Sequence, residues 1–403
     1  MITSSLLITM TLDLENTYKR LYSYCKNEDF AGYDPFDGLN SRLFQASPLK
    51  YLAPARLAFL QTVKRSPVEL RSLLGVRNGV NPKGLALFAL AELSRFRATE
   101  SEQYAENAMN LLKRLLAEQI AGTTRDGKKN MSFGYNFDWQ SRVFYAPRGT
   151  PAIVPTAFAS QAFIEAYKIF EDEKYLSAAT EICEFILGGL NRPVETVDEI
   201  CFSYTPLDRS KIFNTSLLAG ECLARVGAIE GKKEYLETAA KTVRFVIRRQ
   251  RGDGAWVYGT AGVQSWADNF HTAYVLLSLY RVSSAVDYLR AETHDPIRRG
   301  VDYWLDNFFL DDGTPKYYDK AVYPVDIHSA AVAISAMCEL SQVDKRMLPM
   351  AEKTVEWTIA NMLDPQGYFY YQKRKSSMVK TPFMRWGQAW MAYALARLIE
   401  SKH

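Results

Sequence analysis

The feature that most constrains this chain is a pair of residues that recurs at the head of its apolar runs. His271-Thr272 heads one such run (TAYVLLSLY). His328-Ser329 heads another 57 residues later, and Asn214-Thr215 a third 57 residues earlier. Pro82-Lys83, Pro155-Thr156 and Trp386-Gly387 head three more. A surface helix is apolar on one stripe, whereas these runs are apolar almost all round, the pattern of a buried helix. Six inner helices are predicted, starting near 82, 155, 214, 271, 328 and 386. Thr156, Thr215, Thr272 and Ser329 suit the cap region, where a hydroxyl accepts from free backbone N–H groups.

Amphipathic segments lie between these runs. In KEYLETAAKTVRFVIRRQ, the residues Leu236, Ala239, Val243 and Val246 share one stripe. Similar patterns occupy 103–120, 173–190, 295–308 and 347–363, with a weaker one near 53–64 and a further helix near 10–26. The period is longer than the usual 20–50 residues of repeat arrays and fits a helical hairpin plus a long loop. Six hairpins closing into a ring give an all-α fold, an (α/α)6 toroid. Residues 51–403 are expected to form this barrel. Residues 1–50 are expected to add an N-terminal helix and an Asp/Gly-rich loop packed on it. The loops carry a second repeated mark: Phe133-Gly-Tyr135, Phe202-Ser-Tyr204, Trp256-Val-Tyr258, Lys316-Tyr-Tyr318 and Phe369-Tyr-Tyr371. As a set, these tyrosines are read as packing that spaces the hairpins.

With 403 residues and 48% hydrophobic composition, the chain can bury a large core. Its 49 basic and 45 acidic residues leave a net charge of +4 and no concentrated basic stripe, so nucleic acid is not an expected partner. Five scattered cysteines without a CxxC pair suggest free, buried thiols in a reducing compartment. The first residues lack a secretory pattern, and no apolar run reaches the length of a membrane span. A soluble, cytoplasmic protein is expected.

The alternating layout resembles the α/α toroids of glycan-processing enzymes and terpenoid cyclases. FVIRRQRGDGAW (245–256) resembles one QW repeat of squalene cyclases, although their acidic DxDD motif is missing. GYDPFDGLNS (32–41), FGYNFDWQSR (133–142), QSWADNFHTA (264–273) and PFMRWGQAW (382–390) give the whole chain a closer likeness. It resembles the toroidal proteins of bacterial and archaeal polysaccharide-biosynthesis clusters. That resemblance implies a glycan substrate and polysaccharide-assembly proteins as partners.

In such a ring, the loops before the inner helices crowd one face. Asp138, Asp268, His271, Asp326 and His328 are the candidate catalytic residues. Tyr135, Trp139, Arg142, Arg148, Trp266, Asn269, Tyr323, Lys380, Arg385, Trp386 and Gln388 are the candidate substrate contacts. Flat aromatics, amides and cations suit sugar faces, hydroxyls and uronate carboxylates. Competing structural readings stand beside these. Asp268 and Asp326 occupy cap positions, the histidines could bridge loops, and Asp34 and Asp37 are read as turn formers beside Pro and Gly. No metal motif or cofactor fingerprint is found, so neither is expected.

The leading expectation is a polysaccharide- or oligosaccharide-processing enzyme. Hydrolysis would use two carboxylates flanking the glycosidic bond. A lyase or C5-epimerase would use a His or Tyr to take the proton beside a uronate carboxylate, with Arg385, Lys380 or Arg148 neutralising the developing charge. The alternatives are a terpenoid cyclase-like enzyme, favoured by a deep aromatic cavity, and a non-catalytic glycan-binding or scaffold subunit.

Overall fold

The computed structural model describes residues 2–403, with side chains from Leu14 onward. Helix α1 (Ile2–Asn27) is followed by the short α2 (Arg42–Ala46) and by α3 (Ala53–Arg65). From there inner and outer helices alternate: α4 (Pro82–Thr99), α5 (Glu102–Ala117), α6 (Ile153–Phe170), α7 (Glu173–Gly189), α8 (Phe213–Glu230), α9 (Lys233–Ile247), α10 (Asn269–Ala285), α11 (Leu289–Phe308), α12 (Ile327–Leu340), α13 (Met347–Met362) and α14 (Ala389–Glu400). The even-numbered helices from α4 onward each touch the next, and α14 returns to α4 and closes the ring. The fold is therefore the expected all-α toroid. Its strands, of two to four residues each, form three antiparallel pairs and one antiparallel three-stranded sheet within the loops.

An inner helix meets neighbours on every side, which explains its all-round apolarity. Every residue from Leu85 to Leu93 of α4 is buried, Glu92 included. Outer helices bury one stripe, as Tyr235, Ala239, Val243 and Val246 do in α9. The sequence places the first outer helix near 53–64, but α1 fills that position. Leu14, Tyr18, Leu21 and Cys25 form a buried stripe at helical spacing, α1 packs on α14, and Tyr18 hydrogen-bonds Glu92 of α4. α3 buries only Leu60 and Val63, too narrow a stripe for the outer layer, and lies at the mouth of the ring.

Five inner helices begin within two residues of their predicted starts. The sixth begins with a π-type turn, Met384–Gln388, which runs into α14. Asp268 and Asp326 both cap helices, accepting from His271 N at 3.0 Å and His328 N at 2.9 Å. The head hydroxyls depart from expectation. Thr156, Thr215 and Thr272 donate back to the carbonyls of Ala152, Ile212 and Asp268 (2.7–2.9 Å) rather than serving as the caps. The QW-like residues are a brace: Gln250 Nε2 donates to the carbonyls of Gly254 and Pro296, and Trp256 Nε1 to that of Val246. All five cysteines are buried and unpaired.

The C-terminal ends of the inner helices are tied by alternating charges. Arg97, Glu165, Arg225, Glu221, Arg281, Glu339, Arg397 and Glu400 form successive ion pairs, and Glu400 pairs again with Arg97. Arginines at helix C-termini also complement the helix dipole. This closed circuit includes a residue from every inner helix, so the two ends of the barrel differ chemically. At one end these ion pairs line a charged depression, and at the other an aromatic cavity opens.

Candidate active site

The heads of the inner helices and the loops before them enclose a cavity of about 710 Å³. Of the sequence candidates, Tyr135, Trp139, Arg142, Trp266, Asp268, His271, Tyr323, His328, Arg385 and Trp386 line it. Tyr204, Tyr258, Tyr317, Tyr318 and Tyr371 line it too. The repeated tyrosines do pack as expected, with Tyr135, Tyr204 and Tyr371 in the core and Tyr258 and Tyr317 against it, and they border the cavity as well. Phe133, Phe202, Trp256 and Phe369 of the same marks are buried in the core, while the tyrosines border the cavity. Tyr135 and Tyr204 share a hydrogen bond of 2.7 Å.

Asp268 organises one wall. Its Oδ1 caps α10, and its Oδ2 accepts from Trp266 Nε1 at 2.9 Å and from His271 Nδ1 at 2.7 Å. With a carboxylate on Nδ1, the His271 tautomer leaves Nε2 as the acceptor. The His271 side chain remains 22% exposed and opens on the cavity.

His328 is 1% exposed and stacks on Trp386 at 3.9 Å between ring centroids. Its Nδ1 donates to the Trp386 carbonyl (2.9 Å), so Nε2 accepts from the Tyr274 hydroxyl at 3.2 Å. Burial, with the adjacent Lys83, holds the His328 imidazole well below its usual pKa and keeps it neutral. Both histidine rings pack on Phe270, at centroid distances of 4.1 and 4.8 Å. Equivalent positions in successive hairpins have put them beside one another.

The π-type turn turns Arg385 and Trp386 into the cavity, a use that π-bulges often serve. Arg385 donates from Nε and Nη2 to both oxygens of Asp34 (2.6 and 2.8 Å). Asp34 therefore does more than form its turn: it fixes a cavity arginine. Asp37 binds Arg71 at 2.5 Å. Lys64, from α3, sits 4.0 Å above the Phe36 ring, and desolvation brings its amine down to about 8 against the pull of Asp326 and Asp34.

Six candidates lie outside the lining. Asp326 is fully buried and saturated by His328 N, Gln372 Nε2 and Trp386 Nε1, so it supports the Trp386 wall from behind. Asp138 accepts from Arg148 N and Gln45 Nε2 and fixes its loop. The Arg148 side chain is exposed to solvent. Lys380 borders a separate surface groove, above Tyr370. Asn269 bridges the Lys316 carbonyl and Trp304, and Gln388 pairs with both backbone groups of Phe369. Short amides at the ring wall thus act as backbone mimics. Lys83, Tyr274 and Asn214 line the cavity but were missed. Lys83 breaks the Thr/Ser pattern of the repeated heads, a signal the sequence did carry.

Among the described residues, no group of three or more His, Cys, Asp or Glu is placed to hold a metal ion. No helix among them is long and apolar enough to cross a membrane.

No family model and no curated protein sequence matches the chain. Solved structures do. The cellobiose 2-epimerase of Bacillus thermoamylovorans B4167 superposes with a TM-score of 0.61 at 12% identity, covering 81% of this chain and 90% of its own. The GH76 α-mannanase of Bacteroides thetaiotaomicron gives 0.60 at 12% identity, over 79% of this chain and 86% of its own. An unsaturated glucuronyl hydrolase specific for heparin gives 0.57 at 14% identity, over 81% and 88%. The chain shares its fold with saccharide-processing enzymes. At these identities the likeness is one of architecture, and the chemistry must be argued from this chain's own residues.

Proposed function

We propose that the protein is a saccharide epimerase that moves a proton at a carbon next to a carbonyl or carboxylate group. One observation carries this reading: His271 and the Tyr274–His328 pair share a single cavity in which Asp268 is the only lining carboxylate among the described residues. Inverting a carbon requires a base on one side and an acid on the other. His271 Nε2 takes the C–H proton, and the electron pair moves onto the adjacent carbonyl oxygen. Tyr274 then delivers its hydroxyl proton to the opposite face while His328 Nε2 holds that hydroxyl in place. The proton taken by His271 passes to solvent in the open cavity, from which Tyr274 is reprotonated.

Hydrolysis fits less well. It calls for two carboxylates about 5–9.5 Å apart across the scissile bond, and Asp268 is already bound to Trp266 and His271. The aromatic wall meets half of the cyclase reading, but among the described residues no carboxylic acid stands free in it to protonate an alkene. The cellobiose 2-epimerase likeness supports epimerisation. A glycan partner and a setting in cytoplasmic polysaccharide assembly are part of this proposal.

The test is to incubate the protein with neutral and acidic oligosaccharides and follow stereochemistry by NMR. An inverted centre at unchanged mass, lost in His271→Ala and His328→Ala, is the expected result. New reducing ends with retained centres would make it a hydrolase.

A further inference from the structure

Lys83 stands at an inner-helix head where the other five repeats carry Thr, Ser or Gly. It is 2% exposed, yet it borders the cavity. Its Nζ lies 4.3 Å from the centre of the Phe158 ring, 5.2 Å from that of Trp390 and 3.4 Å from the Tyr274 hydroxyl. It makes no ion pair among the described residues. A buried ammonium is costly unless an anion meets it. Arg385 adjoins the same helix head, its backbone and Cβ 3.7 Å from where a Cβ on Gly84 would sit. Asp34 occupies its Nε and Nη2, which leaves Nη1 unpaired among the described residues. Asn214, also at a helix head in the cavity wall, has a buried Oδ1 with no hydrogen-bond partner.

We propose that the cavity binds the anionic group of an acidic saccharide, a carboxylate or a phosphate, through Lys83 and Nη1 of Arg385, with Asn214 accepting a hydroxyl of the same ligand. This rests on reading the cavity as a saccharide site and adds the charge of its substrate. The groups facing Lys83 are Tyr274 from α10, His328 from α12, and Arg385 with its partner Asp34. Burial and the Arg385 charge both drive the empty site towards a neutral amine, against the pull of Asp34. An arriving anion reverses that balance, so binding takes up a proton. If the anion is a carboxylate beside the reacting carbon, the intermediate gains a second negative charge on it. The protonated Lys83 offsets that charge where it develops.

The experiment measures binding of glucuronic acid, glucose 6-phosphate and glucose by calorimetry, in two buffers of different ionisation enthalpy, and by thermal shift. The expected result is that one or both anions bind at least roughly tenfold tighter than glucose, with net proton uptake. Which anion wins distinguishes a uronate from a sugar phosphate. Lys83→Met should erase the preference and Lys83→Arg should keep it. No preference for either anion, or a preference that survives Lys83→Met, overturns the proposal. His271→Ala should retain the anion preference while losing epimerisation. Failure of the reaction and failure of the anion site are therefore seen separately.

Discussion

One carboxylate of Asp268 holds two parts of His271: Oδ1 accepts from the backbone N–H at 3.0 Å and Oδ2 from ring Nδ1 at 2.7 Å. A cap and a catalytic orientation are thus one arrangement, and a substitution can separate them. Asn is as good a cap as Asp, but its amide does not fix the tautomer. Asp268→Asn should keep the helix cap, lose about 1–3 kcal/mol of stability where the Trp266 indole is left without its acceptor, and lose about 10²–10⁴-fold in kcat. A fall in melting temperature with full activity would reduce Asp268 to a cap.

Asp326 is the contrasting case. It occupies the equivalent position one hairpin later, yet its oxygens are taken by Gln372, His328 N and the Trp386 indole. Asp326→Ala strands two buried donors, His328 N and the Trp386 indole, and each unpaired group costs about 1–3 kcal/mol. Urea unfolding should show a clear loss of stability. Stability equal to the parent protein would mean that these bonds are not made in solution.

The buried His328 gives stability a pH dependence of definite sign. Its folded pKa is depressed by burial and by Lys83, while in the unfolded chain it titrates near the ordinary value of about 6.5. Below that pH the unfolded chain holds the extra proton, so stability falls as pH drops. His328→Gln removes this contribution. Unfolding free energies at pH 7.5 and 5.5 should therefore differ less in the variant than in the parent. Equal slopes would show that His328 is not kept neutral.

The ring was legible because burial on all sides leaves a mark that a linear pattern reveals, and because small hydroxyl residues recur at the helix heads with the hairpin. The histidine pair was legible for the same reason: equal positions in successive hairpins share one axial level. Individual roles were not. Asp268 and Asp326 are alike in sequence, but Oδ2 of Asp268 meets His271 Nδ1, whereas Gln372 takes Oδ2 of Asp326 and the Trp386 carbonyl takes His328 Nδ1. Asn269 and Gln388 read as sugar-binding amides, but Asn269 pairs with backbone of the loop before α12 and Gln388 with backbone of the loop before its own helix. The place of α1 in the outer layer depended on Tyr18 meeting Glu92, a contact 74 residues apart that no local pattern encodes.

The central claim is that His271 and the Tyr274–His328 pair exchange a proton with a sugar carbon. The direct measurement is to incubate the protein with a glucuronate-containing oligosaccharide in D2O and locate deuterium by NMR. The account predicts deuterium at the inverted carbon with the parent protein, and none with His271→Ala or His328→Ala. Cleaved products that retain their original C–H bonds would contradict it.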